Sequence, residues 1–82
     1  MKIFLYSSKD CCLCDDAKAI VEKSLFYSKI DLEKKDIYLD KALLIKYKVH
    51  IPVLYAQNTS SELYWPFDLV CLESWLEKQI GR

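Results

Sequence analysis

Residues 2–6, Lys-Ile-Phe-Leu-Tyr, place four apolar or aromatic side chains in an unbroken row. A strand with one face in water alternates polar and apolar residues, whereas a continuous run is expected of a strand covered on both faces. The chain has 82 residues, so those covers must come from a single domain spanning residues 1–82. A chain of this length buries roughly 60–65% of its unfolded surface, which is enough for a core without obligatory staples. Apolar residues make up 52% and charged residues 29% of the sequence, the balance of a globular chain and not of a disordered one.

The pattern changes after residue 6. "SSKDC" breaks the run, and from Cys12 to about Tyr27 the apolar residues Cys14, Ala17, Val21 and Leu25 recur at spacings of three and four, a helical stripe. Asp15 and Asp16 fall in its first turn, where carboxylates complement the helix dipole. A second strand is expected within residues 28–37, where Ile30 and Leu32 alternate with charges. Residues 39–48 read as a short helix with Asp40 as N-cap. "IPVLYA" (51–56) and "ELYW" (62–65) read as strands joined by the polar turn "QNTSS", and Pro66 ends the second of them. Residues 68–80 close the chain with a helix carrying Leu69, Leu72, Leu76 and Ile80 on one face. The order is β-α-β-α-β-β-α, an α/β class in which the first crossover joins parallel strands with right-handed sense and the last two strands are antiparallel.

Several function classes drop out on composition. Twelve basic residues balance twelve acidic ones, and no polybasic run is present, so no nucleic-acid partner is expected. The only glycine, Gly81, rules out a glycine-rich phosphate loop. No apolar stretch approaches the ~18 residues of a membrane span, and no membrane partner is expected. The N-terminal apolar run is shorter than a secretory core, so the expected location is cytoplasmic. Structural disulfides are rare there.

That leaves "KDCCLCDD", residues 9–16, with three cysteines that could form a metal site, a staple or a redox pair. Cys11 and Cys14 make a C-x-x-C at the junction of the first strand and its helix. A thiol there faces unpaired backbone N–H groups and the positive end of the dipole, which stabilise the thiolate. The thiolate is the species that attacks a disulfide, and a second thiol one turn on can resolve the mixed disulfide. C-x-x-C after the first strand of a βαβ pattern is a redox signal. Structural zinc would need a second ligand pair, and the remaining Cys12, Cys71 and His50 lack ligand spacing; the expected metal ligands are none. Cys71 is expected to be a small core or boundary residue.

"CCLC" after "IFLY", followed by "KYKVHIPVLY" (46–55) and the "LYWPFD…WL" ending, resembles the thioredoxin superfamily, closest to small glutaredoxin-like proteins with a C-x-L-C motif. The resemblance implies a thioredoxin-like fold: a mixed four-stranded sheet in the order 2-1-3-4 with helices on both faces. It implies that Cys11 is the exposed catalytic nucleophile and Cys14 the resolving thiol. Pro52 would be a cis-proline facing them, and Ile51 would offer its backbone N–H and C=O to an extended thiol substrate. His50 and Lys9 would lie at the substrate site, where an imidazolium or ammonium stabilises the thiolate; the alternative for His50 is a solvated loop residue. Asp10, Asp15 and Asp16 would act against that thiolate. Glutathione-using glutaredoxins carry a Gly-Gly turn before the last helix, where this chain has Trp65-Pro66-Phe67-Asp68. Weak glutathione turnover is therefore expected, with glutathione still a candidate reductant.

The expected activity is thiol–disulfide oxidoreduction by a monomer, requiring no metal or organic cofactor. Its partners would be a disulfide-containing protein or small thiol substrate and a separate thiol reductant. Two other functions remain open at this point. One is a non-enzymatic binder of the same fold, with Cys11, Cys12 and Cys14 holding a soft metal or bridging an iron–sulfur cluster. The other is a redox-inert interaction module.

Overall fold

The computed structural model describes residues 1–9 and 11–80. Asp10, one of the three carboxylates expected to oppose a thiolate, and Gly81 lie outside the described residues. The elements are β1 (Lys2–Ser7), α1 (Cys12–Glu22), β2 (Asp31–Asp36), α2 (Lys41–Tyr47), β3 (Val53–Ala56), β4 (Ser61–Tyr64) and α3 (Leu69–Ile80). Short 3-10 turns at Tyr27–Lys29 and Ile37–Leu39 precede β2's start and α2 respectively.

The sheet runs β2-β1-β3-β4. β1 pairs with β2 in parallel, Ile3 beside Leu32 and Ser7 beside Asp36. It pairs with β3 antiparallel, Leu5 opposite Leu54 and Tyr6 opposite Val53, and β3 pairs with β4 antiparallel, Val53 opposite Tyr64. The expected fold class and strand order hold: this is a thioredoxin-like α/β fold.

The apolar run of β1 serves both faces of the sheet, as a period of two requires. Ile3 and Leu5 point to one side, where they join Leu54 and Ala56 of β3, Ala17 and Val21 of α1, and Leu72, Trp75 and Leu76 of α3. Phe4 and Tyr6 point to the other, where Ile37, Tyr47, Val53 and Tyr55 gather under α2. Each fully buried Ile, Leu or Val side chain in the first group contributes about 1.5–3 kcal/mol of transfer free energy.

Three expectations need correction. The first helix does not reach Tyr27: it stops at Glu22, and Leu25 is 85% exposed instead of completing the stripe. The cause lies far along the chain, where the carboxylate of Glu73 on α3 accepts the Leu25 N–H at 2.8 Å and the Ser24 hydroxyl at 3.4 Å. These bonds draw the backbone out of the helix. In α3 the inward positions are Leu72, Trp75, Leu76 and Gln79, so Leu69 sits at the exposed rim. Trp75 and Gln79 turn the buried stripe away from Leu69, and Cys71 still lies outside it, exposed and not a core residue.

α2 begins as expected, with the Asp40 carboxylate accepting from Ala42 N at 2.9 Å and Leu43 N at 3.4 Å. β2 tolerates the charges of "EKK" because it is an edge strand whose outer side faces water.

Candidate active site

The sheet register gathers the functional residues at one end. β1 leaves the sheet after Ser7, and β3 enters it at Val53 opposite Tyr6, so the loop to Cys11 and the segment 48–52 emerge side by side. β4 ends at the same edge, and Trp65 N donates to the Pro52 carbonyl at 3.3 Å.

Cys11 is the N-cap of α1, with extended backbone (φ −96°, ψ 103°). Its sulfur accepts the Cys14 N–H at 3.2 Å, so one of the orphan donors of the first helical turn points at this atom. The same N–H and the helix dipole stabilise negative charge on Cys11 sulfur when it is reduced. Cys11 and Cys14 are joined as a disulfide across one turn, with their Cα atoms 5.2 Å apart. The two ends of that bond differ: Cys11 is half-buried, whereas Cys14 is 1% exposed under the sheet. Between them Cys12 is exposed with a free thiol, and Leu13 is 47% exposed.

The Ile51–Pro52 peptide bond is cis, as the resemblance implies, and Pro52 is buried. Ile51 departs from expectation. Its N–H donates to the Tyr47 carbonyl at 3.1 Å, beside a bond of 2.8 Å from His50 N to the same oxygen. The C-terminus of α2 thus takes up the Ile51 donor, leaving the Ile51 carbonyl as the backbone group available to a substrate. Among the described residues that carbonyl accepts none of the turn or loop hydrogen bonds. His50 is exposed and sets its ring edge-on against Tyr64, centroids 5.2 Å apart. Lys9 is exposed on the turn after β1 and lines a cavity of about 410 Å³ with Ser8, Asp36 and Tyr38. An adjoining recess adds Ser7, whose buried hydroxyl oxygen has no partner among the described residues.

Sequence reasoning missed the hub that holds the 48–52 segment. Glu62 of β4 accepts the Tyr47 hydroxyl through Oε2 and the Tyr64 hydroxyl at 3.5 Å through Oε1, and it pairs with Lys46 at 3.5 Å. Tyr47 also stacks on Tyr6 at 4.7 Å. Burial, reinforced by the Glu62 hydrogen bond, pushes the Tyr47 phenol well above its ordinary value. Only the strand register brings Glu62 under Tyr47, so no local signal could have revealed the pair.

The segment expected to replace a glycine turn is committed elsewhere. Trp65 and Phe67 meet edge to face at 5.0 Å and pack into the aliphatic core. The Trp65–Pro66 bond is a second cis peptide. The Asp68 carboxylate accepts the Cys71 N–H at 2.7 Å, which makes it the cap of α3. Among the described residues no group of three or more His, Cys, Asp or Glu side chains is arranged to hold a metal ion.

Comparison with known proteins agrees with this geometry. The family model for the glutaredoxin-like domain matches residues 2–77. The chain belongs to this glutaredoxin-like family. Two solved structures of protein XcR50 from X. campestris are similar to this glutaredoxin-like chain at 33% identity. The crystal structure has a TM-score of 0.74 and the match covers 93% of this chain and 96% of that one. The solution structure gives 0.80, with 95% of each chain covered. Protein Ne2328 from Nitrosomonas europaea is 26% identical with a TM-score of 0.67, covering 90% and 88%. Thioredoxin 1 from Thermosipho africanus shares the fold at a TM-score of 0.71 and 15% identity, covering 99% and 96%. No curated protein matches the sequence.

Proposed function

We propose that this glutaredoxin-like protein is a thiol–disulfide oxidoreductase. The observation that carries the reading is the asymmetry of the Cys11–Cys14 pair: a half-buried cysteine at a helix N-cap, its sulfur served by the Cys14 N–H, linked to a fully buried one. In the reduced protein the Cys11 thiolate attacks one sulfur of a substrate disulfide. A Cys11–substrate bond forms, and the other half leaves as a thiolate that takes up a proton. Cys14 then loses its proton and attacks the Cys11 sulfur, which expels the second half of the substrate as a thiolate. Two electrons pass from the protein dithiol to the substrate, and the protein is left with its internal disulfide. Two external thiols, or one dithiol, return the two electrons: the first thiolate attacks Cys11 because Cys14 is covered and releases Cys14, and the second thiol displaces the first from Cys11 as a disulfide.

The Ile51 carbonyl, emerging beside the Cys11 loop, would accept a backbone N–H of an extended substrate, with Lys9 and His50 at the rim. The protein would act as a monomer in a reducing, cytoplasmic setting. Glutathione fits poorly. The carboxylate of Asp68 occupies the N-terminus of α3 and its Cys71 N–H, where a glutathione carboxylate would otherwise find donors. A protein or larger thiol substrate is the better match.

The test is a pair of variants. Cys11→Ser should abolish reduction of a disulfide substrate, and Cys14→Ser should accumulate a mixed disulfide at Cys11 detectable by mass. Iodoacetamide should label Cys11 of the reduced protein faster than Cys14, and the reverse order would contradict the assignment. Asp68→Asn keeps a good capping side chain while removing the charge, and should raise glutathione-dependent turnover. Robust glutathione turnover in the parent protein, unchanged in this variant, would overturn the substrate reading.

A further inference from the structure

The outward side of α2 is built differently from the other exposed helix surfaces. Residues 41–50 hold three lysines and one histidine and no acidic residue, in a chain whose net charge is zero. At 100° per residue, the buried or half-buried Leu43, Leu44 and Tyr47 lie on one side of the helix. The opposite arc carries Lys41, Ile45, Ala42 and Lys46, all exposed, and the exposed Lys48 and Val49 follow in the cap and turn after the helix. Ile45 is 75% and Val49 84% exposed, so aliphatic side chains stand in the open beside lysines on this face and the turn that continues it. Lys46 reaches back to Glu62, while among the described residues Lys41 and Lys48 enter no ion pair.

This face is continuous with the redox site along the chain. Val49 and His50 lead directly into Ile51 and Pro52, which emerge beside the loop carrying Cys11. From Lys41 to Tyr47 the helix extends roughly 9 Å at the helical rise, and the turn 48–50 separates it from the redox site, beyond the reach of a small thiol whose sulfur is at Cys11.

We propose that the outward face of α2 is the docking surface for a protein substrate whose disulfide is flanked by an acidic segment carrying aliphatic side chains. This rests on the oxidoreductase reading. Aliphatic residues of the partner would cover Ile45 and Val49, and its carboxylates would meet Lys41 and Lys48. Opposite charge raises the encounter rate and selects among partners, and the aliphatic side chains supply area that is favourable to bury. The occupant follows from charge complementarity: among the described residues Lys41 and Lys48 enter no ion pair, Lys46 is matched by Glu62, and residues 41–50 contain no acidic residue.

The experiment uses the full chain and three synthetic peptides, each carrying the same disulfide flanked by Leu-Glu, Leu-Lys or Ser-Gly repeats, with 2-hydroxyethyl disulfide as a small neutral reference. The wild type should reduce the Leu-Glu peptide with a kcat/KM about fivefold or more above the Ser-Gly peptide, the difference residing in KM and shrinking as salt is raised. The double substitution Lys41→Glu and Lys48→Glu should invert the preference toward the Leu-Lys peptide when each rate is divided by that on 2-hydroxyethyl disulfide. Ile45→Ser should lower the Leu-Glu advantage without inverting it. Failure to reduce any probe would overturn the oxidoreductase reading itself. Reduction of all three peptides with equal efficiency would overturn the docking surface alone. Two further outcomes would replace the proposed occupant: a dimer in sedimentation that Ile45→Ser dissociates, or binding to phosphatidylserine vesicles that the charge reversal abolishes.

Discussion

The two faces of the sheet are built from different materials. Under α1 and α3, ten buried residues form an aliphatic core of Ile, Leu, Val and Ala, closed by Phe67 and Trp75. Under α2, among the described residues, the buried hydrophobic cluster is smaller, Tyr6, Ile37, Tyr47 and Val53. There the packing is a ladder of rings: Phe4 lies 6.3 Å from Tyr6 and from Tyr55, and Tyr6 lies 4.7 Å from Tyr47. The first face anchors the helix that carries Cys11 and Cys14. The second carries α2, a seven-residue helix tied down by the Glu62 carboxylate, and after it the segment with Ile51 and Pro52. The proposed redox pair is therefore set on the side with most of the apolar burial, and the proposed substrate-facing segment follows a helix on the other side.

Truncations should break this comparison most visibly. Leu72→Ala, at a fully buried position of the aliphatic face, should cost about 2–5 kcal/mol in chemical denaturation. Leu44→Ala, half-buried on the other face, should cost less than about 2 kcal/mol. Equal losses would show that the faces contribute alike.

Tyr47→Phe comes next. It removes the hydroxyl bonded to Glu62 and should cost about 1.5 kcal/mol, as for a hydrogen bond to a charged group. Its pH signature sharpens the comparison. The Tyr47 and Tyr6 phenols are both held above their ordinary value, chiefly by burial. The unfolded chain then releases these protons first, so the stabilisation is present below about pH 10 and lost as pH rises beyond it. Melting temperatures of the wild type should fall over roughly pH 9–11, and Tyr47→Phe should flatten that fall. A parallel fall in both proteins would separate Tyr47 from the alkaline transition.

How much of this could be read beforehand depended on the range of the interaction. The succession of strands and the three helices were legible because apolar spacing reports a local period, whereas the strand order came only with the family resemblance; Asp40 announced the start of α2 by its own chemistry. C-x-x-C after a strand identified the candidate pair for the same reason. The end of α1 was not legible, since Glu73 takes the Leu25 N–H from 48 residues away. Tyr47 and Glu62 meet only because β4 pairs with β3 in one register and α2 crosses above. Leu69 turned outward because Trp75 and Gln79, not Leu69, define the inner side of α3. The Ile51 N–H was lost to the Tyr47 carbonyl because the chain leaves α2 through tight turns whose hydrogen bonds leave no pattern in residue type.

The cap of α3 gives a smaller contrast. Asp68→Ala should cost about 1 kcal/mol, whereas Asp68→Asn should stay within a few tenths, measured by thermal melts. A large loss in the asparagine variant would assign Asp68 a role beyond capping. The smallest effect belongs to Lys2, whose ammonium bridges Asp31 and Glu33 at 3.1 and 2.8 Å. These carboxylates raise the Lys2 ammonium above its ordinary value, and Lys2 with Lys35 lowers Glu33. The groups are solvent-screened, and Lys2→Gln should leave the melting temperature unchanged.

That same charged ribbon has a consequence for how the protein behaves among its neighbours. β2 is an edge strand reading Asp-Leu-Glu-Lys-Lys-Asp, and the opposite edge, β4, is only four residues long. A foreign strand approaching β2 meets ionic side chains of both signs that would lose water on pairing, and one approaching β4 finds too short a template. Sheet extension is discouraged at both margins. A protein that leaves Ile45 and Val49 exposed can then meet its neighbours in a crowded solution without polymerising through its own backbone.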